Sequence, residues 1–522
     1  MGRCSINPFR CSAALLLVAC VTYSAPAQTW EYSPYNIRVW VAVEPLPQTA
    51  GLAQDIGHDV ATGARLAAGM VWRMFPEPAP QMLAVDLLTR LDLLTPEQLL
   101  AAEPEAFQID PLAYPRHYVP ADGDGERLKA DKLLMITVSR SDAGYLVQVR
   151  ELDAAARQWG ELFTSTTPQL AAVPSVALAN ALRAIRPIAK VERVQGRAVI
   201  ARLRASGLIV DEDSPAGMQP GQVMIPVVRR NQRNGEPLKG GVYAPAWSYV
   251  SIDGCTQTTI SGTVNSGYGS VIPAKGGPRT ERLLLGLTPH FASTRLELRA
   301  RVTATPGKGP PPPGRLLAGY EVYVKNIGEE KTELVGLTDW QGGIELQPSD
   351  KLLRLFYIKN GGQLVARLPL VVGHQPKMTA NVLDDDQRLT AEAYIKSLQS
   401  RVTDLVARRE ILTVRVRAKL KKGDFAAARQ LVDEYRNLTT GAQLTRELED
   451  TQRRMSNASG VTAKRIDKLF LEAHKLVQGF LDPAAADKLA LEVAEAERKG
   501  PPAAVSTPAP GETAAPPVQP AT

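Results

Sequence analysis

The chain has 522 residues and a formal net charge of +7, with 44% hydrophobic and 22% charged residues. So mild a charge over this length argues against a dedicated nucleic-acid binder, and the hydrophobic content is that of an ordinary globular protein. At ~100–200 residues per domain, the length predicts three or four domains.

The first residues read as an export signal. Arg3 and Arg10 precede an apolar run from Ala13 to Val21, followed by Ser24-Ala25-Pro26-Ala27-Gln28. A charged start, a short apolar core and a small-residue A-x-A site predict a signal peptide over 1–27, cut between Ala27 and Gln28. The run is far short of the roughly 20 residues that span a bilayer as a helix. Leu17-Val18-Ala19-Cys20 resembles a bacterial lipobox. That resemblance implies an alternative in which Cys20 is acylated and the protein associates with a membrane surface. Cleavage after Ala27 removes Cys4, Cys11 and Cys20, leaving Cys255 with no internal disulfide partner and burial as its expected fate. It also removes two arginines, so the charge falls from +7 to +5. No later segment has 18 uninterrupted apolar residues, so no transmembrane span is expected.

Residues 36–190 read as an α/β domain. Ile37, Val39, Val41 and Val43 alternate with Arg38, Trp40, Ala42 and Glu44, predicting a half-buried strand. Leu52, Ile56, Val60, Ala64, Ala67 and Val71 predict a helix over 52–73. Leu133–Val138 is almost wholly apolar, Ser141-Asp142-Ala143-Gly144 turns the chain, and Tyr145, Val147 and Val149 return as a hairpin. A strand over 158–165 and a helix over 175–185 complete the domain. The element order, with Val149-Arg150-Glu151-Leu152-Asp153 leaving the hairpin, resembles small α/β domains of bacterial envelope assembly factors, including the N-terminal domain of the Tol-system propeller protein.

Residues 191–303 alternate as short strands, as in Val199, Ala201 and Leu203 or Leu296, Leu298, Ala300 and Val302, with frequent glycine and proline turns. This predicts a small barrel or sandwich. Residues 304–314 hold four consecutive prolines and read as a stiff linker. Residues 315–375 predict a sandwich with strands at 319–325, 331–337, 342–347, 352–358 and 363–371. Gly319-Tyr320-Glu321-Val322-Tyr323, then Gly336-Leu337-Thr338-Asp339-Trp340-Gln341-Gly342-Gly343-Ile344, resembles the transthyretin-like or carboxypeptidase-regulatory-like sandwich. The resemblance implies a structural or adhesive accessory without chemistry of its own.

Residues 384–498 read as helical. Ile395, Leu398, Val402, Leu405, Leu412 and Val416 form one apolar seam, with Arg409 interrupting it. Lys422-Gly423-Asp424 ends the long helix. Asp424–Asn437 resembles half of a tetratricopeptide hairpin, without a second copy at a fixed period. Two further helices are predicted over 441–456 and 461–481. Residues 500–522 are rich in proline and alanine and are expected to be disordered.

Chemical signatures are sparse. The five histidines lie apart, without zinc-ligand spacing. Asp55, His58 and Asp59 share a helical face that reads as solvated. Asp122-Gly123-Asp124-Gly125-Glu126 lacks the later ligands of a calcium loop. Neither a nucleophile elbow nor a Walker loop occurs. Arg401, Arg408, Arg415, Lys419 and Lys422 form a basic stripe that could meet a partner or anionic lipid, or simply face solvent.

The expected fold is therefore multidomain α+β: an α/β domain, β-rich barrel or sandwich modules, and an α-helical domain. The expected function is a periplasmic or secreted, non-enzymatic envelope scaffold, without cofactor, metal or nucleic acid. Its partner would be an envelope protein or a peptidoglycan-associated one, met through an apolar patch on the α/β or helical part. The alternative is a secreted hydrolase or carbohydrate-binding protein, whose sign would be a concave cleft between the first two domains with carboxylates or aromatics.

Overall fold

The computed structural model describes residues 30–92, 94–96, 99, 107–109, 128–256, 258–267, 269, 271–302, 311–455 and 460–500. The signal segment with Cys20, Ala27 and Gln28, the acidic loop 122–126, the linker residues 303–310 and residues 501–522 lie outside them. Two compact units divide the chain after Val382. The architecture is multidomain α+β, with a mixed sheet, a barrel, paired smaller sheets and a helical region.

The first unit begins with β1 (Tyr35–Val43), α1 (Leu52–Ala68), β2 (Trp72–Pro78) and α2 (Gln81–Arg90). The short pair β3 (Gln108–Ile109) and β4 (Leu128–Lys129) precedes β5 (Lys132–Ser141), β6 (Gly144–Asp153), β7 (Gln158–Trp159), β8 (Phe163–Thr167) and α3 (Val173–Ala184). The sheet order is β2-β1-β5-β6-β7, with β8 also on β6. β1 runs parallel to both β2 and β5, and β6 returns antiparallel. Ile37, Val39 and Val41 face a core shared with α1 and α3, while Trp40 and Ala42 are buried against α2. The strand is thus covered on both faces rather than half-buried. The helix predicted to residue 73 stops at Ala68, where Gly69 takes φ of 59°. The strand β2 that follows carries Pro76 and Pro78, tolerated because it is a sheet edge.

Seven strands follow: β9 (Ile188–Gln195), β10 (Ala198–Leu203), β11 (Val223–Asn231), β12 (Pro237–Tyr243), β13 (Ser248–Cys255), β14 (Thr259–Ser266) and β15 (Thr280–Leu287). Every pairing among them is antiparallel, and β11 meets both β13 and β15, which closes the barrel. Closure removes sheet edges, and Val191, Ala201, Met224, Val250 and Leu284 fill the interior. The barrel is not free-standing: Ile188, Val227, Leu283 and Leu285 join the apolar core under α1 and α3. The Arg204 guanidinium donates to both oxygens of Asp131, at 2.8 and 2.7 Å, and to the Ser33 and Pro34 carbonyls. Cys255, expected to be buried, ends a barrel strand and is exposed.

The last part of this unit comprises β16 (Thr294–Ala300), β17 (Glu321–Asn326), β18 (Glu333–Leu337), β19 (Gly343–Leu346), β20 (Leu353–Asn360), β21 (Gln363–Val371) and β22 (Lys377–Val382). Sheets β18-β17-β20-β21 and β19-β16-β22 enclose one core around Leu298, Tyr320, Phe356 and Leu370. This corrects the expected boundaries of 191–303 and 315–375. β16 looked like one more barrel strand, but it pairs with β19 and, in parallel, with β22. The proline run therefore joins two strands of one module rather than two domains. Gly314 ends it where a Cβ would stand 1.8 Å from the Ala300 carbonyl oxygen. The Thr338–Gly343 turn forms as its residues suggest. Asp339 accepts from the Gln341 and Gly343 amides, both at 2.8 Å, and Gly342 has φ of 66°.

The second unit is helical: α4 (Asp386–Lys421), α5 (Phe425–Arg436), α6 (Gly441–Met455), α7 (Gly460–Phe480) and α8 (Ala485–Lys499). All six seam residues of α4 are buried, in two clusters. Ile395, Leu398, Val402 and Leu405 meet α6 and α7, and Leu412 and Val416 meet α5 and α8. Arg409 marks the changeover, its guanidinium over the Tyr435 ring and bonded to the Thr439 carbonyl. Asp424 caps α5 through the Ala427 amide. Among the described residues, no helix is long and apolar enough to cross a membrane.

Candidate functional site

The first unit holds a cleft of about 890 Å³. The α/β sheet contributes Arg157, Trp159 and Glu161, the barrel Trp247 and Tyr249, and the β21–β22 turn His374. Arg186, which lines the cleft, belongs to a buried ionic network that strand register helps dictate. Lys132 sits opposite Asp153 on β5 and β6, and Glu151, two residues back, shares that face. The Lys132 ammonium donates to Asp153 at 2.7 Å and to Glu151, and the Arg186 Nε donates to Glu151 at 2.8 Å. Burial pulls the Lys132 ammonium down, but Asp153 and Glu151 override it and hold the group above its usual value. Burial pushes the nearby Tyr35 phenol up to about 12.

Glu161 carries the network to the cleft. One carboxylate oxygen lies 2.6 Å from His374 Nδ1, a contact without hydrogen-bond alignment. The other, Oε2, is buried without a partner. Burial alone would raise this carboxyl; His374 and Arg186 instead hold it below the usual range. The Trp159 indole N–H is likewise buried and unpaired, beneath the Arg150 guanidinium at 4.7 Å. Arg157 makes no hydrogen bond or ion pair among the described residues and holds φ of 47°; Trp247 holds φ of 54°. Only three non-glycine residues among those described have positive φ, and two of them line this cleft. Beside it, His290 rests between Phe163 and Phe291, and burial pulls its imidazole below the usual value.

A second feature lies on the sandwich. β18 ends its sheet, and among the described residues no strand pairs with its outer edge. Leu334 (57%), Leu337 (59%) and Trp340 (80%) are exposed there, beside Val335.

The basic stripe is not uniformly free. Arg401 forms a two-pronged pair with Glu447 at 2.8 and 2.9 Å, and Lys419 donates to Asp424 at 2.7 Å. Arg408, Arg415 and Lys422 are exposed. Asp55, His58 and Asp59 all lie on the solvent face of α1, and no group of three among the described residues could hold a metal. The cleft residues escaped sequence reasoning because Glu161 and His374 come from connections far apart in the chain. A weak local signal was present in the spacing of Arg157, Trp159 and Glu161 along one extended segment.

No protein-family model matches the chain, and no curated protein matches it in sequence. Among solved structures, the chain is similar at 12% identity to TolB from Acinetobacter baumannii, over 68% of this chain and 97% of that one, with a TM-score of 0.16. It is similar at 10% identity to BcpA, the major pilin subunit of Bacillus cereus, over 49% and 71%, with a TM-score of 0.13. TM-scores this low define neither a shared fold nor a shared function.

Proposed function

We propose that the chain is an exported, non-enzymatic scaffold or adaptor of the cell envelope. Export follows from the tripartite N-terminal signal. The observation that carries the binding role is the β18 edge. Sheet edges present unpaired backbone groups, and proteins usually blunt them with charge, proline or a cover. β18 instead exposes Leu334, Val335 and Leu337, with the Trp340 side chain beside them. Exposed aromatic anchors next to a free edge suit strand addition by a partner. The one charge within β18 is Glu333, paired with Lys331 at 2.8 Å, and Glu329 and Glu330 in the preceding turn make the approach to this edge acidic. The fitting partner is an extended segment of another envelope protein, apolar at alternate positions and basic opposite the glutamates. Exposed apolar side chains also occur where the sequence expected a patch, at Leu66 and Met82 of the α/β part and at Val414 and Phe480 of the helical unit.

A photo-crosslinking residue at exposed Thr332, expressed in cells, tests the reading. The expected result is an adduct with one envelope protein that Leu334→Arg and Leu337→Arg abolish. An adduct indifferent to both substitutions, or one between two copies of this chain, overturns it.

A further inference from the structure

We propose that the cleft of the first unit binds a short peptide with free amino and carboxyl ends. The chemistry is read from what the cleft leaves unsatisfied. Buried polar atoms in native proteins nearly always have partners, and each orphan needs an explanation. Here the orphans are complementary to one another. Glu161 Oε2 is a buried anionic acceptor without a donor. The Trp159 indole is a buried donor without an acceptor. Arg157 is a cation without a counter-charge among the described residues. An ammonium satisfies the first, a peptide carbonyl the second and a carboxylate the third.

Spacing sets the size. Arg157, Trp159 and Glu161 follow one another along the segment containing β7. Fully extended, positions 157 to 161 are ~13 Å apart at ~3.3 Å per residue. The left-handed turn at Arg157 shortens that span. Two or three peptide residues, at up to ~3.6 Å each plus their charged ends, bridge it. The cleft volume of about 890 Å³ falls within the range of small-ligand sites. The walls fit such a guest, since Trp247, Tyr249 and Phe291 offer apolar surface between the polar ends.

The site is also held in shape. Trp247 is anchored in the sandwich core while in a backbone conformation that bulky residues rarely adopt. Strained residues of this kind persist where the surroundings over-determine them, which happens at binding sites. Glu161 is met within the cleft by His374 at 2.6 Å, so the α/β part and the sandwich both build the site. A saccharide would offer neither charge that Arg157 and Glu161 ask for, and a nucleotide would set its phosphates against Glu161.

Calorimetric titration of the full chain with trialanine, its N-acetyl form, its C-terminal amide and maltotriose decides the matter. Trialanine is expected to bind, and blocking either end should weaken it at least ~10-fold. Arg157→Ala should remove the penalty for amidation and leave that for acetylation. Glu161→Gln should do the converse. Because Glu161 is buried and could be needed for folding, Trp159→Phe is the second variant: it keeps the ring, removes the N–H and should weaken all peptides alike. Equal binding of free and blocked peptides, unaltered selectivity in Arg157→Ala, or binding of maltotriose in place of peptide would each overturn the proposal. None of these measurements involves the β18 edge, so the scaffold reading stands or falls separately.

Discussion

In the first unit, Lys132, Glu151, Asp153 and Arg186 meet out of contact with water; in the helical unit, Arg401, Arg417 and Arg429 reach across to Glu447, Glu492 and Glu497 at the surface. The buried charges are fixed by strand register, so a slip of one residue would separate them. The surface pairs span helices already held by an apolar seam. Charges in the first unit therefore specify one arrangement, and those in the second decorate one that packing has chosen. All six tryptophans fall in the first unit and most of the described helix in the second. Tryptophan fluorescence and the 222 nm helix signal therefore read the two apart.

The largest expected effect comes from Lys132→Ala. It leaves Glu151 and Asp153 buried side by side with only Arg186 and backbone amides to balance them. Removing one partner of such a network costs about 3–5 kcal/mol. Fluorescence-monitored urea unfolding should shift by that amount, with the helix transition in place. A loss below about 1 kcal/mol would mean that water or a neutral form already satisfies the carboxylates.

Acid should separate the units next. Asp153 and Glu161 both titrate below the usual carboxylate range: burial would raise each, but Lys132 for Asp153 and His374 for Glu161 override it. A depressed folded value means that the unfolded chain takes up protons more readily. Their stabilisation is complete above about pH 4, the unfolded range, and is lost as pH falls through the lower folded values. Glu447 and Glu492 are also depressed, by Arg401 and Arg417, but they are exposed and screened. On acidification, the fluorescence transition should precede loss of the 222 nm signal. The reverse order would place the acid-sensitive charges in the helices.

Local periodicity made much of this fold legible. Each of the five strands predicted within 315–375 has a counterpart in β17 to β21, because alternation and turn residues are local properties. The α4 seam was readable for the same reason. β2 was hidden by Pro76 and Pro78, which argue against a strand unless the edge position is known. The partner of β16 was hidden because its parallel pairing with β22 depends on tertiary structure. The cleft was the least legible part. Neither Glu161 nor His374 carries a motif, and the unsatisfied atoms that mark the site exist only once burial is known.

The smallest expected effect is the sharpest test of the comparison. Arg417 donates to both oxygens of Glu492, at 3.1 and 2.9 Å, with the two side chains 58% and 43% exposed. Two-pronged geometry is the best case for a surface pair, yet water screens both charges, and holding two long side chains still costs entropy. Arg417→Ala should therefore cost less than about 1 kcal/mol in the 222 nm transition, and a double-mutant cycle with Glu492→Ala should give a coupling of about 0.2–1 kcal/mol. That coupling should shrink further in 1 M salt, where the screening length is about 3 Å. Leu412 and Val416 beneath the pair keep α4 against α5 and α8 without it. A coupling above about 2 kcal/mol that resists salt would mean that the helices too are positioned by charge, and the contrast between the two units would collapse.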